Sequence, residues 1–187
     1  MQTRSTIYTI GHGTRSLDEL IAVLHWGGVQ LLVDVRRWPG SRRHPHFARE
    51  SLEQALPHQG ISYEWRGENL GGRRDRSKTA TRHPAWHNAS FQAYADYMDT
   101  NEFRAALGEL EQRSPEVAQA LMCAETLWWK CHRRLISDAL ALRGVDVDHL
   151  MKVGTREAHK LHPNVRRDSD GWPVYDVNVD RPLHPLK

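Results

Sequence analysis

The segment Leu31-Leu32-Val33-Asp34-Val35 restricts the fold most, because as an extended chain it is apolar on both faces. A strand of this kind has to be covered on both sides, and such strands are typical of parallel sheets packed between helices. Parallel strands are joined by crossover connections, usually helices, so the chain should alternate strands with helices. The segment therefore predicts an α/β fold in three layers.

The rest of the chain supplies the alternation that this fold requires. Besides the run at 29–35, short β-rich runs predict strands at 6–10, 61–65, 117–123 and 145–153. Apolar residues at helical spacing predict the intervening helices at 17–24, behind a Ser16–Glu19 capping box, at 48–58, at 90–113 with a break near 99–101, and at 131–143. We expect a mostly parallel, Rossmann-like sheet of about five strands with helices on both faces.

One domain is expected to hold these elements. The chain has 187 residues, which is enough to bury a core without disulfides or metals. From Gly154 onward the composition becomes polar and rich in proline, up to Pro185. We therefore expect a single α/β domain over residues 1–153 and an irregular extension, 154–187, packed on the same domain.

Composition excludes several classes of protein. No apolar run approaches the roughly 18 residues that a membrane helix needs, so we expect no membrane partner. The first eight residues lack the apolar region of a secretory signal, which predicts a cytoplasmic protein. The two cysteines, Cys123 and Cys131, should then be reduced. The oligomeric state stays open.

The net charge is only +3, but the arginines are concentrated in two segments. They are Arg36, Arg37, Arg42 and Arg43, then Arg66, Arg73, Arg74, Arg76 and Arg82. Two such segments favour an anionic partner, either a phosphate-bearing small molecule or a nucleic acid. Solvated surface loops would have the same composition.

In open α/β sheets, ligands bind beyond the carboxyl ends of the strands, so the residues that follow each predicted strand are candidate site residues. The candidate catalytic residues are Glu125, Asp34, His12 and Cys123. The candidate substrate-binding residues are Arg36, Arg37, Gly71, Gly72, Arg73, Arg74, Cys131, His132 and Arg133.

Acid–base chemistry is the leading prediction for these groups. Glu125 follows a strand, where partial desolvation would raise its pKa and suit it to act as general acid or base. Asp34 ends an apolar strand, and it is either a second acid or base or the buried partner of Arg36 or Arg133. His12 lies between two glycines before a helix, so it either orients a bound anion or is a turn histidine.

Cys123 occupies the strand–loop–helix position of a nucleophilic cysteine, as in phosphatase-like and rhodanese-like folds. The arginine six residues later is missing, since position 129 is Trp129, and the loop has no glycines. A buried, inert thiol is therefore favoured over a nucleophile. Cys123, Cys131 and His132, with His12, contain enough ligands for zinc, but their spacing matches no common zinc motif, so we assign no metal and no cofactor.

Four short motifs together resemble the domain of unknown function family 488. They are Thr9-Ile10-Gly11-His12-Gly13, Asp34-Val35-Arg36 with Pro39 and Ser41, Leu70-Gly71-Gly72, and Cys123-Ala124-Glu125 with Cys131-His132-Arg133. The resemblance runs from about Ile7 to Leu150. It implies a compact α/β fold and no particular reaction.

Three functions are compatible with these residues. The leading hypothesis is an enzyme that acts on a phosphate-bearing substrate, a nucleotide or a nucleic acid, by acid–base chemistry at the carboxyl edge of the sheet. Nucleotide hydrolysis and base excision both fit. The alternatives are a non-catalytic nucleic-acid-binding module and a thiol redox or metal-binding protein.

Overall fold

The computed structural model describes residues 5–40 and 43–177 of the chain. Its main sheet contains six strands: β1 (Thr6–Gly11), β2 (Leu31–Asp34), β3 (Ser62–Trp65), β4 (Gln119–Cys123), β5 (Asp146–Lys152) and β6 (Thr155–Ala158). They lie in the order β3-β2-β4-β1-β5-β6. The first five are mutually parallel and β6 is antiparallel to β5, so the predicted mostly parallel α/β sheet is confirmed.

Six α-helices connect or flank these strands: α1 (Leu17–Trp26), α2 (Arg49–Ala55), α3 (Gly67–Leu70), α4 (Ala89–Met98), α5 (Asn101–Arg113) and α6 (Arg133–Leu142). The capping box predicted for α1 is present, because the Ser16 hydroxyl accepts from the Glu19 amide at 3.1 Å and the Glu19 carboxylate accepts from the Ser16 amide at 2.7 Å. Thr100 caps α5, which explains the break predicted near 99–101. The short helix α3 lies between the strand predicted at 61–65 and the helix predicted at 90–113, where the sequence predicted no helix.

The helices cover both faces of the sheet. One core contains the buried residues of α1 and α2 together with Leu32 and Met122 of the sheet. The opposite core contains the buried residues of α4, α5 and α6 together with Val33 and Leu121. Adjacent residues of one strand thus enter different cores, as the period of two requires. The apolar strand β2 is buried on both faces for this reason, and the three-layer fold is confirmed.

Strands β1 and β4 are neighbours in the sheet, and the helices that follow them lie on opposite faces. The chain leaves β1 through α1, on one face, and leaves β4 through α6, on the other face. Such a reversal opens a crevice beyond the carboxyl ends of the two strands, where ligands bind in folds of this class.

The segment after residue 153 is more regular than its composition predicted. Strand β6 joins the main sheet, and β7 (Val165–Arg167) pairs with β8 (Pro173–Tyr175). Trp172 and Tyr175 are buried in the same core as α4 to α6. Pro182 and Pro185 lie outside the described residues. Within the described ranges, no helix is long and apolar enough to cross a bilayer.

Candidate functional site

A pocket of about 910 Å³ occupies the crevice at the carboxyl ends of β1, β2 and β4. Most of the predicted site residues line it: His12, Arg36, Arg37, Gly72, Arg73, Cys123, Glu125, Cys131 and His132. They come from four segments that are distant in sequence. A smaller pocket of about 450 Å³ lies near Thr6 and Asp146, where β1 and β5 begin, and contains none of the predicted groups.

Four predicted site residues, Asp34, Gly71, Arg74 and Arg133, do not line the pocket. Asp34 is fully buried behind it. Arg74 donates to the Gly71 carbonyl at 2.8 Å, and its guanidinium lies 3.6 Å from the centre of the Tyr97 ring. Arg133 is almost completely buried and donates to the backbone carbonyl of Glu125. These residues support the pocket walls.

Asp34 and Arg36 form a buried ion pair at the end of β2. Both oxygens of the Asp34 carboxylate accept from the Arg36 side chain, at 2.9 Å from Nε and 2.5 Å from Nη2. The Asp34 carboxylate also accepts from the Tyr63 hydroxyl at 2.7 Å, and Arg36 donates to the Phe47 carbonyl at 2.8 Å. Both oxygens of Asp34 are engaged by protein donors and shielded from the pocket. Asp34 therefore acts as the buried partner that holds Arg36 in place.

His12 is buried at the pocket wall as a neutral imidazole. Its Nδ1 donates to the Gly13 carbonyl at 3.0 Å, and its Nε2 accepts from Arg36 at 3.2 Å. Burial is the main cause that lowers the pKa of His12 from 6.5 to about 4, and the nearby Arg36 cation lowers it further. Both ring nitrogens therefore have partners in the protein, and His12 positions Arg36.

The two glycines beside His12 bring the loops after β1 and β4 into direct contact. A Cβ atom on Gly11 would lie 2.0 Å from the Glu125 carbonyl oxygen, and one on Gly13 would lie 2.2 Å from the Thr126 hydroxyl. Backbone hydrogen bonds of 2.9 Å join His12 to Cys123 and Gly13 to Ala124. The two glycines thus leave the space that the loop after β4 occupies.

Cys123, Cys131 and His132 meet on the floor of the pocket. The Nδ1 atom of His132 lies 3.9 Å from the Cys123 sulfur and 3.6 Å from the Cys131 sulfur. Its other nitrogen, Nε2, donates to the Val35 carbonyl at 3.1 Å. Both cysteines are buried and free of disulfides. This trio combines the end of β4 with the start of α6.

The two thiols have pKa values that move in opposite directions. The hydrogen bond to Cys131, together with burial, raises the pKa of Cys123 well above its usual range. Burial also raises the pKa of Cys131, but the hydrogen bond from Cys123 and the neighbouring His132 and Arg133 outweigh it, so this pKa falls well below the usual range. The sequence drew attention to Cys123, whereas the thiol with the lowered pKa is that of Cys131.

Glu125 lies on the wall of the pocket with its side chain exposed, whereas partial desolvation was expected from its place after a strand. Within residues 5–40 and 43–177, its carboxylate accepts one hydrogen bond, a long one of 3.4 Å from the Leu127 amide. Its carboxylate is therefore accessible to a ligand in the pocket.

The rim of the pocket is cationic and carries an exposed indole. Trp38 is 62% exposed, and the guanidinium groups of Arg37 and Arg73 lie 5.3 and 5.8 Å from its ring centre. Arg43 and Lys130 add two further cations. Arg73 has a left-handed backbone with φ of 58°, a conformation that costs a residue with a Cβ about 1 kcal/mol. Ser41 and Arg42 lie outside the described residues.

Sequence reasoning missed several residues of the pocket wall: Thr14, Gly40, His44, Ser90, Phe91, Tyr94 and Lys130. Tyr94 is the most informative of them, because its ring lies 5.1 Å from that of His132 and its hydroxyl donates to the Leu70 carbonyl at 2.6 Å. The helical spacing of Phe91 and Tyr94 indicated the core, which is true of Tyr94. No local signal marks a core residue that also borders a pocket.

Fold and site together define a three-layer α/β protein with a pocket at the switch point of its sheet. Residues 16–140 match the family described as Domain of unknown function DUF488. This match covers more than half of the chain, so the protein belongs to that family and the resemblance is confirmed. The matched range includes Asp34 and the segment from Cys123 to His132, and it begins after His12. No curated protein and no solved structure matches the chain.

Proposed function

We propose that the protein is an enzyme that acts on a phosphate-bearing substrate, a nucleotide or a nucleic acid, bound in the pocket at the carboxyl edge of the sheet. One observation carries the proposal. The same pocket combines a cationic rim beside an exposed indole with proton-transferring and nucleophilic groups, Glu125 and the Cys123–Cys131–His132 trio, on its wall and floor.

The rim cations support the anionic part of the substrate. In the described residues, 5–40 and 43–177, no salt bridge involves Arg37, Arg43, Arg73 or Lys130. Four cations around one pocket repel one another and attract an anion. A phosphate group is suited to this rim, because arginine donates to it in bidentate geometry.

The exposed indole supports a base as the second part of the substrate. Trp38 is exposed on the rim and has two guanidinium groups close to its ring, so a flat aromatic group can stack on the exposed part of the indole while its phosphate reaches Arg37 or Arg73. Stacking of a base on an aromatic side chain contributes about 1–3 kcal/mol and does not depend on the identity of the base. This combination favours a nucleotide or a single-stranded nucleic acid over inorganic phosphate.

The chemical step is assigned to Glu125 and to the floor of the pocket. Asp34 is occupied by Arg36, and both nitrogens of His12 have partners, so neither has a lone pair directed at a ligand. Glu125 is exposed to the pocket and acts as the general acid or base. Replacing a general base lowers the rate by about 10²–10⁴-fold, so E125Q should reduce turnover of an identified substrate to that extent. Unchanged turnover would remove this role.

The proposal is tested by comparing ligand binding in two double variants that lose the same number of positive charges. Titration calorimetry at low salt should detect binding of AMP, ATP or a short single-stranded oligonucleotide to the full chain. The R37A/R73A variant should bind at least about tenfold more weakly, since it loses two charge-assisted contacts. The R156A/R166A variant removes two exposed arginines outside the pocket and should bind as the wild type does. Absence of binding to all three probes, or equal losses in both variants, would contradict the proposal.

A non-catalytic nucleic-acid-binding module is the second candidate, and the Arg37–Trp38–Arg73 arrangement on an exposed rim favours it as well. It predicts oligonucleotide binding that weakens steeply with salt, since affinity then comes from phosphate neutralisation. It also predicts no turnover and no effect of E125Q. Turnover that depends on Glu125 separates the enzyme from the module.

A further inference from the structure

We propose that Cys123, Cys131 and His132 bind a zinc ion whose fourth coordination position opens into the pocket. The ligand atoms of the three residues lie within 4.8 Å of one another. They come from two segments that the fold joins, the end of β4 and the start of α6. Seven residues separate Cys123 from Cys131, and His132 follows directly, which is a spacing that matches no common zinc motif.

The distances between the ligand atoms fit a tetrahedral zinc site. With Zn–S of about 2.3 Å and Zn–N of about 2.0–2.1 Å, a tetrahedral angle separates sulfur from nitrogen by about 3.5–3.6 Å. The distance from His132 Nδ1 to the sulfur is 3.6 Å for Cys131 and 3.9 Å for Cys123. Both sulfur-to-nitrogen distances are therefore within a few tenths of an ångström of those in a tetrahedral zinc site.

The orientation of His132 is fixed in the way that zinc-bound histidines require. Its Nε2 donates to the Val35 carbonyl at 3.1 Å, so in the neutral ring the lone pair is on Nδ1, the atom that faces both sulfurs. A carbonyl that accepts from the second nitrogen is a regular outer partner of a metal-bound imidazole. The ring of Tyr94 packs at 5.1 Å from the imidazole and holds its plane.

The chemistry of the donor set selects the metal. Two thiols and one imidazole are soft or borderline ligands, which suit zinc and do not suit magnesium or calcium. His12 is no fourth ligand, because its Nε2 accepts from Arg36 and its Nδ1 donates to Gly13. Three protein ligands with one open position are typical of catalytic zinc sites, whereas structural sites have four.

Gly72 leaves space on the pocket side of the trio. A Cβ atom at this position would lie 3.0 Å from His132 Nδ1, closer than nearly all real Cβ contacts. Any side chain here would therefore crowd the nitrogen that we assign to the metal. Gly72 lines the pocket, so the gap connects the trio with the space that Glu125 borders. A zinc-bound water would face the substrate, and this last step rests on the proposed function.

Metal analysis of the full chain tests the inference. The reduced protein, reconstituted with zinc and passed through a desalting column, should contain about one zinc ion per chain. C123S, C131S and H132Q should each bind zinc at least about tenfold more weakly in competition with a chelator, as expected when a ligand is lost. H58Q is the matched control, because His58 is an exposed histidine outside the pocket, and it should keep the metal.

Cobalt provides a second measurement that does not depend on the variants folding. Titration of the wild-type chain with Co²⁺ should produce a sulfur-to-cobalt charge-transfer band and the strong visible absorption of a tetrahedral site. Reduced protein that takes up no zinc and gives no such band would overturn the inference, as would a disulfide between Cys123 and Cys131 that forms without loss of bound metal. R37A/R73A should keep its zinc while losing nucleotide, so failure of nucleotide binding is distinguishable from failure of the metal site.

Discussion

Asp34 and Asp138 are both completely buried carboxylates, but they are surrounded by different donors. Asp34 faces a permanent cation, Arg36, at 2.5 Å. The donors to Asp138 carry no permanent charge and lie at 2.9–3.0 Å: the His159 ring, the Tyr175 hydroxyl and the His162 amide. A buried charge needs a partner, and the chain satisfies this need once with a salt bridge and once with hydrogen bonds.

Each network contains a buried histidine. Arg36 donates to His12, whereas His159 is followed by His149, whose Nε2 lies 3.0 Å from His159 Nδ1. The Thr9 hydroxyl lies 2.6 Å from the other nitrogen of His149, and Arg133 donates to Thr9 at 3.3 Å. These contacts form one continuous chain from Arg133 to Asp138.

The two buried carboxylates have different roles in the structure. The Asp34 network borders the pocket and fixes an arginine in its wall. The Asp138 network joins α6 to β5 and to the segment after residue 158, so it attaches the C-terminal part of the described chain to the sheet. The same residue type thus positions a site in one place and fastens the fold in the other.

The largest expected effect comes from D34N, which breaks the charged network. The substitution leaves Arg36 buried without a counter-ion, and breaking a buried ion pair costs about 3–5 kcal/mol. Urea unfolding of the variant should show this loss in the free energy of unfolding. The double variant D34N/R36M removes the stranded charge and should be more stable than D34N alone. A loss below about 1 kcal/mol in D34N would contradict the role of the pair.

D138N should cost less than D34N, about 2–3 kcal/mol, because no permanent cation is left unpaired next to it. Its cost arises because the amide has only one acceptor oxygen for three donors, and an unsatisfied buried donor costs about 1–3 kcal/mol. The same urea experiment measures it. The comparison between the two networks fails if D138N is more destabilising than D34N.

The second network should also make the protein sensitive to mild acid. Burial, then His159 and Arg133, lower the pKa of His149 from 6.5 to about 2, and its ring stacks on Trp128 at 4.1 Å. Below pH 6.5 the unfolded chain therefore binds a proton that the folded chain does not, so stability is full above this pH and is lost as the pH falls.

At pH 4.5 this linkage amounts to about 2 kcal/mol. Thermal or urea unfolding at pH 7 and pH 4.5 measures it. The H149Q variant, which cannot titrate, should lose about 2 kcal/mol less stability between these values than the wild type. His12, whose pKa is also lowered, contributes equally to both proteins and cancels from the difference. An identical pH response in H149Q would refute the assignment.

The smallest losses of stability are expected when a tyrosine hydroxyl is removed from each network, since each hydroxyl donates one hydrogen bond to the buried carboxylate. Y175F removes one of three donors to Asp138 and should cost about 1–2 kcal/mol. Y63F removes a donor from Asp34, which keeps three donor atoms of Arg36, and should cost about 0.5–1 kcal/mol. Both are measured by urea unfolding. Equal losses would mean that the number of remaining donors does not matter.

Much of this fold could be predicted because its signals are local. The apolar run at β2 required cover on both faces, and the Ser16 capping box marked the first residue of a helix. Strands β6, β7 and β8 were missed because each has only three or four residues, too few to show a clear alternation of apolar and polar positions. Their stability comes from pairing and from buried residues such as Trp172, which a local pattern does not reveal.

The position of the candidate site could be predicted, because it follows from where the strands end. Ligands bind at the carboxyl ends of strands in this class of fold, which predicted that His12, Arg36, Cys123 and Glu125 share one site, and all four line the pocket. It did not reveal that Asp34 is occupied by Arg36. It also did not reveal that Cys131 and His132 point at Cys123, because side-chain directions after a strand depend on packing between loops.

The strand order has a consequence for how the chain folds during synthesis. Strand β1 is made first, yet its neighbours are β4 and β5, with all of residues 12–118 between β1 and β4. Contacts of such long sequence separation form slowly, because a large loop has to close first. We therefore expect β2 and β3 to pair during synthesis while β1 is still unpaired. When β4 arrives it pairs with both β1 and β2, so the crevice beyond these strand ends forms together with the centre of the sheet, and Cys123 is the first residue of the pocket floor to reach its place.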